Sequence, residues 1–231
     1  MNRLIKSEIL FNNRAIDLLG LLVVAGVAFA HYAAFVLAPN EQTLGAVQRI
    51  LYFHVGSATA TYVMIAVMLG ASIFYLVTKE SLWDFVNDAA SGIGIVFATI
   101  VLVTGMIWGH SSWNTWWRWE PRLVSFLVLW AILFSHRFIK WQEASAVFAA
   151  VVGVMAAVNV PIVVFSVKFL SQSEQLHPQV LAEQGLRSGW YVFSLLFSTF
   201  SLLFFAFWLM VLKTSNILLV CKLRDWIRKH G

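Results

Sequence analysis

Six long runs of apolar residues, separated by polar segments, set the pattern of the chain. A helix crosses the roughly 30 Å hydrocarbon core of a bilayer with about 20 mostly apolar residues. Each run is close to that length, and five of the six contain no Asp, Glu, Lys or Arg. The pattern predicts an all-α, polytopic membrane protein with six transmembrane helices in one domain. The predicted spans are 18–38, 55–78, 89–108, 123–139, 144–167 and 189–212.

Composition supports this class and excludes others. Hydrophobic residues make up 60% of the 231 residues and charged residues 12%, whereas a soluble domain carries about 25% charged residues. A soluble globular fold and a disordered chain are therefore excluded, since disorder requires few aromatics and much charge. Cys221 is the one cysteine, which excludes an intrachain disulfide and a covalent heme attachment motif.

Lys and Arg are divided unequally between the two sets of connections. The terminal tails together with the second and fourth connections hold 11 of the 16 basic residues. The positive-inside rule therefore predicts that both termini are cytoplasmic. This distribution also explains the net charge of +5 without nucleic acid as a partner. The 28–30 segment resembles a signal-peptide cleavage site, but the apolar run continues past it, which favours a retained first span.

The second outer connection is rich in tryptophan. Five of the 11 tryptophans lie within 12 residues, at Trp108, Trp113, Trp116, Trp117 and Trp119. An aromatic belt at the membrane interface is the ordinary explanation, but a belt needs only one or two tryptophans per span end. If 113–120 is helical, Trp113, Trp116, Trp117 and Glu120 share one face. We therefore interpret this tryptophan-rich loop as a rigid, flat platform for a large planar ligand.

Two histidines and two arginines are predicted near the same outer face. His54 and His177 belong to the first and third outer connections, and two imidazoles on opposite sides of a macrocycle hold heme iron. Loop histidines alone are weak support, and the neighbouring tryptophans strengthen the interpretation. Arg49 and Arg122 lie at the predicted outer boundary. Arginines there are common, but they would also suit the two heme propionates.

The remaining histidines are not assigned to the site. His136 and His230 are predicted near the cytoplasmic side as solvated or interfacial residues. His31 lies inside the first span and is predicted to be a packed or hydrogen-bonded core histidine. His110 adjoins the tryptophans, and its role is left open.

The tryptophan segment resembles a known signature. Trp108-Gly109-x3-Trp113-x2-Trp116-Trp117-x-Trp119-Glu120-x-Arg122 is similar to the tryptophan-rich motif of heme-handling membrane proteins. Among these proteins, the chain resembles the C component of the cytochrome c maturation system in its number of spans. The 49–55 segment (Arg-Ile-Leu-Tyr-Phe-His-Val) and the Leu-His-Pro at 176–178 also resemble that family. Asn114 replaces the family's second Gly, Glu120 replaces its Asp, and 168–175 lacks the tryptophans expected before His177.

The resemblance implies a function and its partners. Heme b would bind non-covalently at the periplasmic face of a bacterial inner membrane, with bis-His iron between His54 and His177. The protein would not be an enzyme and would deliver heme to a periplasmic heme chaperone. An ABC-type ATPase with its membrane subunit, and a small single-span subunit, are the implied neighbours.

Two alternative functions remain open. A cytochrome b-like electron-transfer subunit would have axial histidines paired between spans. In this sequence only His31 lies well inside a span. A transporter that moves heme across the bilayer would have polar groups along a central path. Such groups are sparse within these spans.

Overall fold

The computed structural model is a bundle of six long helices and describes residues 14–40, 44–166 and 189–230. Within those ranges the helices are α1 (Arg14–Tyr32), α2 (Ile50–Thr78), α3 (Ser81–Trp113), α4 (Pro121–Trp141), α5 (Ala146–Phe165) and α6 (Gly189–His230). A π-helical turn (Ala33–Leu37) extends α1, and a 3-10 turn (Ala46–Arg49) precedes α2. All six helices are long and apolar enough to cross a membrane. The predicted all-α architecture, with six helices long and apolar enough to span a membrane, is thus confirmed.

Several helices are longer than the predicted spans. The spans 55–78, 89–108 and 189–212 correspond to Ile50–Thr78, Ser81–Trp113 and Gly189–His230. Apolar runs mark the part of a helix that lies in hydrocarbon, whereas the backbone hydrogen bonds continue through polar turns at either end. One consequence concerns the site. His54 and Trp113, which the sequence placed in outer connections, both lie on helices.

Helix α2 is the central element of the bundle. It packs most extensively against α3 and also contacts α5 and α6. The largest buried cluster combines Ile65 and Met68 of α2 with Leu129 and Leu133 of α4, among others. Gly56 allows α6 to approach closely, because a Cβ there would lie 3.3 Å from the Thr199 Cα. Small residues at helix crossings supply the tight packing that drives helix association in lipid.

Paired charges join three helices at the end of the bundle opposite Trp113. Asp88, near the start of α3, accepts a hydrogen bond from Arg137 of α4, and the Lys213 Nζ of α6 lies 3.8 Å from its carboxylate. Asp84 accepts from Lys140 at 2.8 Å. Ionisable groups within membrane helices are costly unless they are paired, so these contacts fix α3, α4 and α6 relative to one another.

Candidate functional site

A cavity of about 330 Å³ lies at the tryptophan-rich end of the bundle, between α2, α3, α4 and α5. Small-molecule sites typically have about 300–1,000 Å³. Seven of the ten predicted site residues line it, namely His54, Trp108, Trp113, Trp116, Trp117, Glu120 and Arg122. The structure therefore brings together residues that lie up to 68 positions apart in the sequence. His177 lies outside the described residues, and Arg49 and Trp119 do not line the cavity.

His54 lies in the second turn of α2 and faces α3. Its Nδ1 lies 3.0 Å from the Thr104 Oγ1. Gly105 follows on the same helix, and a Cβ at that position would lie 3.3 Å from the His54 Cε1. The imidazole thus contacts the Thr104 hydroxyl group and lies against the backbone at Gly105, both on α3. It forms part of the wall of the cavity.

Helix α3 ends at Trp113 because Asn114 adopts a left-handed conformation (φ 54°), and its N–H donates to the His110 carbonyl at 2.9 Å. Gly is the usual residue at this helix-ending position and Asn is the common alternative. The replacement of the family's Gly by Asn114 is therefore compatible with the turn. Before Pro121, Glu120 is extended (φ −92°, ψ 152°), as the residue before a proline tends to be.

The predicted helix over 113–120 is wrong, because residues 114–120 form an irregular connection. The left-handed Asn114 ends α3, and Pro121 disfavours helix in the residue before it. The Thr115 hydroxyl donates to the Trp117 carbonyl at 3.1 Å, which stabilises this connection locally.

The indole rings form walls at steep angles to one another instead of the flat platform that the sequence predicted. Trp108 and Trp113 meet edge to face, with ring centroids 4.7 Å apart and planes at 79°. Trp117 and Trp119 do the same at 5.7 Å and 77°. Such edge-to-face pairs are favourable aromatic geometries. The site is therefore a pocket with aromatic walls. One indole could stack on the face of a planar ligand while another encloses the edge of that ligand.

Three tryptophans of the connection differ in their surroundings. Trp116 is stacked on His110, with centroids 4.1 Å apart and planes at 23°, so His110 supports a ring that lines the cavity. Trp119 is 78% exposed and contacts Trp117, which lines the cavity. The Nε1 of Trp117 is buried and has no hydrogen-bond partner among the described residues. It is a donor that a ligand with an acceptor oxygen would satisfy.

The two predicted arginines are placed differently. Arg122, in the first turn of α4, lines the cavity. Arg49 instead donates from Nη2 to the Asn40 Oδ1 at 3.0 Å, and the Asn40 carbonyl accepts from the Tyr191 hydroxyl at 3.1 Å. Arg49 thus joins the first connection to the starts of α2 and α6.

The other described histidines lie outside the cavity lining. His31 is exposed, so its predicted core position is wrong, but its Nδ1 donates to the Val27 carbonyl at 2.8 Å, so the predicted hydrogen bond is present. The sequence predicts that His136 is solvated or interfacial, but this side chain is fully buried in α4. The sequence-based expectation was wrong because the burial of a residue on α4 depends on how this helix packs against α5 and α3, which is a tertiary contact. Over the described ranges, no group of three or more His, Cys, Asp and Glu side chains could hold a bare metal ion.

Sequence reasoning missed the residues that form the rest of the cavity. Tyr62 of α2, Thr104 and Gly105 of α3, and Phe126 of α4 line it or support His54. Each belongs to an apolar run, where such residues are ordinary in a membrane helix. No local signal distinguishes them, because their role depends on how the helices face one another.

The side chains that line the cavity fit heme. The lining is largely apolar and aromatic, which suits a macrocycle. One imidazole supplies an iron ligand. One guanidinium and the buried Trp117 N–H would suit carboxylates.

The fold and the cavity define a membrane-spanning protein with a tryptophan-walled ligand site at one end of the bundle. The profile of the family described as "Heme exporter protein C" (CcmC) matches residues 6–228. The chain therefore belongs to this family, which handles heme in cytochrome c maturation.

Individual relatives agree with this assignment. Heme exporter protein C of Escherichia coli (strain K12) is 32% identical over 201 residues, which cover 84% of this chain and 80% of that protein. A ccmC-like mitochondrial protein of Marchantia polymorpha is 33% identical over 158 residues, 68% of each chain. Heme exporter protein C of Bradyrhizobium diazoefficiens is 34% identical over 143 residues, which cover 60% of this chain and 54% of that protein.

Proposed function

We propose that this protein binds heme b in the tryptophan-walled cavity at the periplasmic face of the inner membrane and delivers it to a periplasmic heme chaperone. The observation that carries the proposal is the cavity itself, where an imidazole, a guanidinium and four indoles from separate elements line one space. A protein that only anchored itself with an aromatic belt would not need an imidazole among those rings.

His54 is the proposed axial ligand from α2. Its ring lies at the cavity wall, and imidazole is the common protein ligand of heme iron. The second axial ligand is the predicted His177, on the basis of the sequence resemblance. Bis-His iron would leave no open coordination position for oxygen chemistry, in keeping with a protein that carries heme and does not catalyse a reaction.

Arg122 and the Trp117 N–H are the proposed partners of the heme propionates. The residues Arg122 and Trp117 line the cavity, and the buried Trp117 N–H has no hydrogen-bond partner among the described residues. Charge-assisted bonds from guanidinium to carboxylate are among the stronger hydrogen bonds in proteins. Glu120 lies beside them and would limit the net positive charge of the mouth. Arg49 stays a predicted propionate partner, although its guanidinium is engaged with Asn40.

The exposed indoles are the proposed contact with the chaperone. Trp119 is 78% exposed and does not line the cavity, so it presents apolar surface outside the cavity, and the nearby Trp116 is 54% exposed. Large amphipathic rings are enriched where proteins bind one another. The ABC-type ATPase with its membrane subunit, and the small single-span subunit, are the proposed neighbours in the membrane, where they would act on release of the loaded chaperone.

The test is heme transfer between purified components. The full-length protein, loaded with hemin in detergent, is mixed with the apo form of the periplasmic chaperone, and the heme recovered with the chaperone is measured. We expect transfer by the unaltered protein, strong loss in His54→Ala, and no change in the His230→Ala control. Equal transfer by His54→Ala and the unaltered protein would contradict the proposal.

A further inference from the structure

We infer that Thr104 and Gly105 of α3 position His54, and that together they direct its Nε2 as the iron-binding atom. The inference rests on the proposed function, since it concerns the orientation of the proposed axial ligand. Neither residue is part of the tryptophan segment or of the histidine segments that carry the family resemblance. Both enter through their contacts with the imidazole.

The hydroxyl proton of Thr104 decides the tautomer of His54. The Thr104 Oγ1 lies 2.6 Å from the Ile100 carbonyl and 3.2 Å from the Val101 carbonyl. A carbonyl oxygen only accepts, and a hydroxyl group has one proton to donate. The Thr104 proton is therefore used within α3, so its oxygen can only accept at the 3.0 Å contact with the His54 Nδ1.

It follows that the His54 Nδ1 carries the proton. A neutral imidazole has one N–H, so Nε2 then holds the lone pair that a metal requires. Most metal-binding histidines donate from the other nitrogen to an oxygen in this way, which fixes the ring and raises its basicity.

Gly105 determines how closely the ring approaches α3. A Cβ at this position would lie 3.3 Å from the His54 Cε1 and 3.9 Å from its Nδ1. The first distance is tighter than most Cβ contacts, so a methyl group would move the ring away from Thr104. Gly105 thus keeps the hydrogen bond short.

The two helices that carry these residues form the most extensive helix contact of the bundle. His54 is therefore held between rigid elements, where a site is more precise than on a loop. Loss of such a contact to a metal-binding histidine typically weakens metal affinity by about 10- to 100-fold. A less basic imidazole also stabilises ferric iron less, so the reduction potential should rise.

The experiment compares variants of the full-length protein loaded with hemin. Thr104→Val keeps the shape and removes the acceptor, and Thr104→Ser restores a hydroxyl group. Thr214→Val is the matched control, because Thr214 makes the same hydrogen bond within its helix, to the Met210 carbonyl at 2.9 Å, away from the cavity. His54→Ala tests the axial assignment itself. Hemin affinity, the midpoint potential and the low-spin EPR signal are measured for each.

We expect Thr104→Val to bind hemin about 10- to 100-fold more weakly, with a more positive midpoint potential and altered EPR g-values. Gly105→Ala should move in the same direction, whereas Thr104→Ser and Thr214→Val should match the unaltered protein. An unchanged potential and affinity in Thr104→Val, while His54→Ala loses the low-spin signal, would overturn this inference alone. A low-spin signal retained by His54→Ala would instead overturn the axial assignment on which it rests.

Discussion

Replacing Trp116 and Trp117 together with Leu should weaken hemin binding by about 5- to 140-fold. Both rings line the cavity, whereas Leu keeps apolar contact but loses the aromatic face. An aromatic pair contributes about 0.5–1.5 kcal/mol beyond the area that it buries. Two rings therefore contribute about 1–3 kcal/mol, and each 1.4 kcal/mol changes the affinity about tenfold. Loss of the buried Trp117 N–H should move the result towards the upper end.

The assay is a hemin titration of the purified protein, followed by Soret absorbance, since indole fluorescence would change with the substitutions themselves. Trp141→Leu is the matched control, because Trp141 is 76% exposed at the opposite end of α4. Trp119→Leu should change affinity by less than about threefold, about 0.7 kcal/mol, since this ring does not line the cavity. An affinity of the double variant equal to that of Trp141→Leu would refute the reasoning and favour an aromatic belt.

Three further substitutions, two of them compared with a control variant, test the fold through the free energy of unfolding in an SDS titration. Asn114→Ala should lower the free energy of unfolding by about 1–2 kcal/mol, because Ala is unfavourable in the left-handed conformation. Asn114→Gly should leave the free energy of unfolding nearly unchanged. Equal values for the two variants would contradict this account of the turn. Asp88→Asn should lower it by about 1.5–3 kcal/mol, since two cations lose their carboxylate partner; an unchanged value would show that these ion pairs contribute little. Gly153→Ala should lower it by about 1–3 kcal/mol, because the new methyl group would collide with the Ser72 hydroxyl, whereas Gly70→Ala, which has open space, should not lower it.

The helices could be predicted because hydrophobicity alone identifies them. An apolar run of about 20 residues has few alternatives to a membrane helix, and each of the six runs overlaps such a helix. The ends could not be predicted in the same way. Asp84 and Asp88 lie outside the predicted third span but inside α3, because their charge is paired across helices, and that pairing is a tertiary contact.

Seven of the ten predicted site residues line the cavity, but the shape of the cavity was not predicted. Tryptophan density identified Trp108, Trp113, Trp116 and Trp117, all of which line the cavity. The flat platform failed because it assumed a helix through Asn114. Asn at a helix end and proline at the start of the next helix are sequence signals that argued against that helix. Thr104 had no comparable signal, since only the packing of α2 on α3 brings it to the imidazole.

The central claim is that heme iron is held by His54 from within this cavity. The most direct measurement is the absorption and EPR spectrum of the hemin-loaded, full-length protein and of its His54→Ala variant, with His177→Ala measured alongside and His230→Ala as the control. We predict a low-spin bis-His spectrum for the unaltered protein and the control, and its loss in each of the other two variants. A bis-His spectrum that persists in His54→Ala would contradict the account.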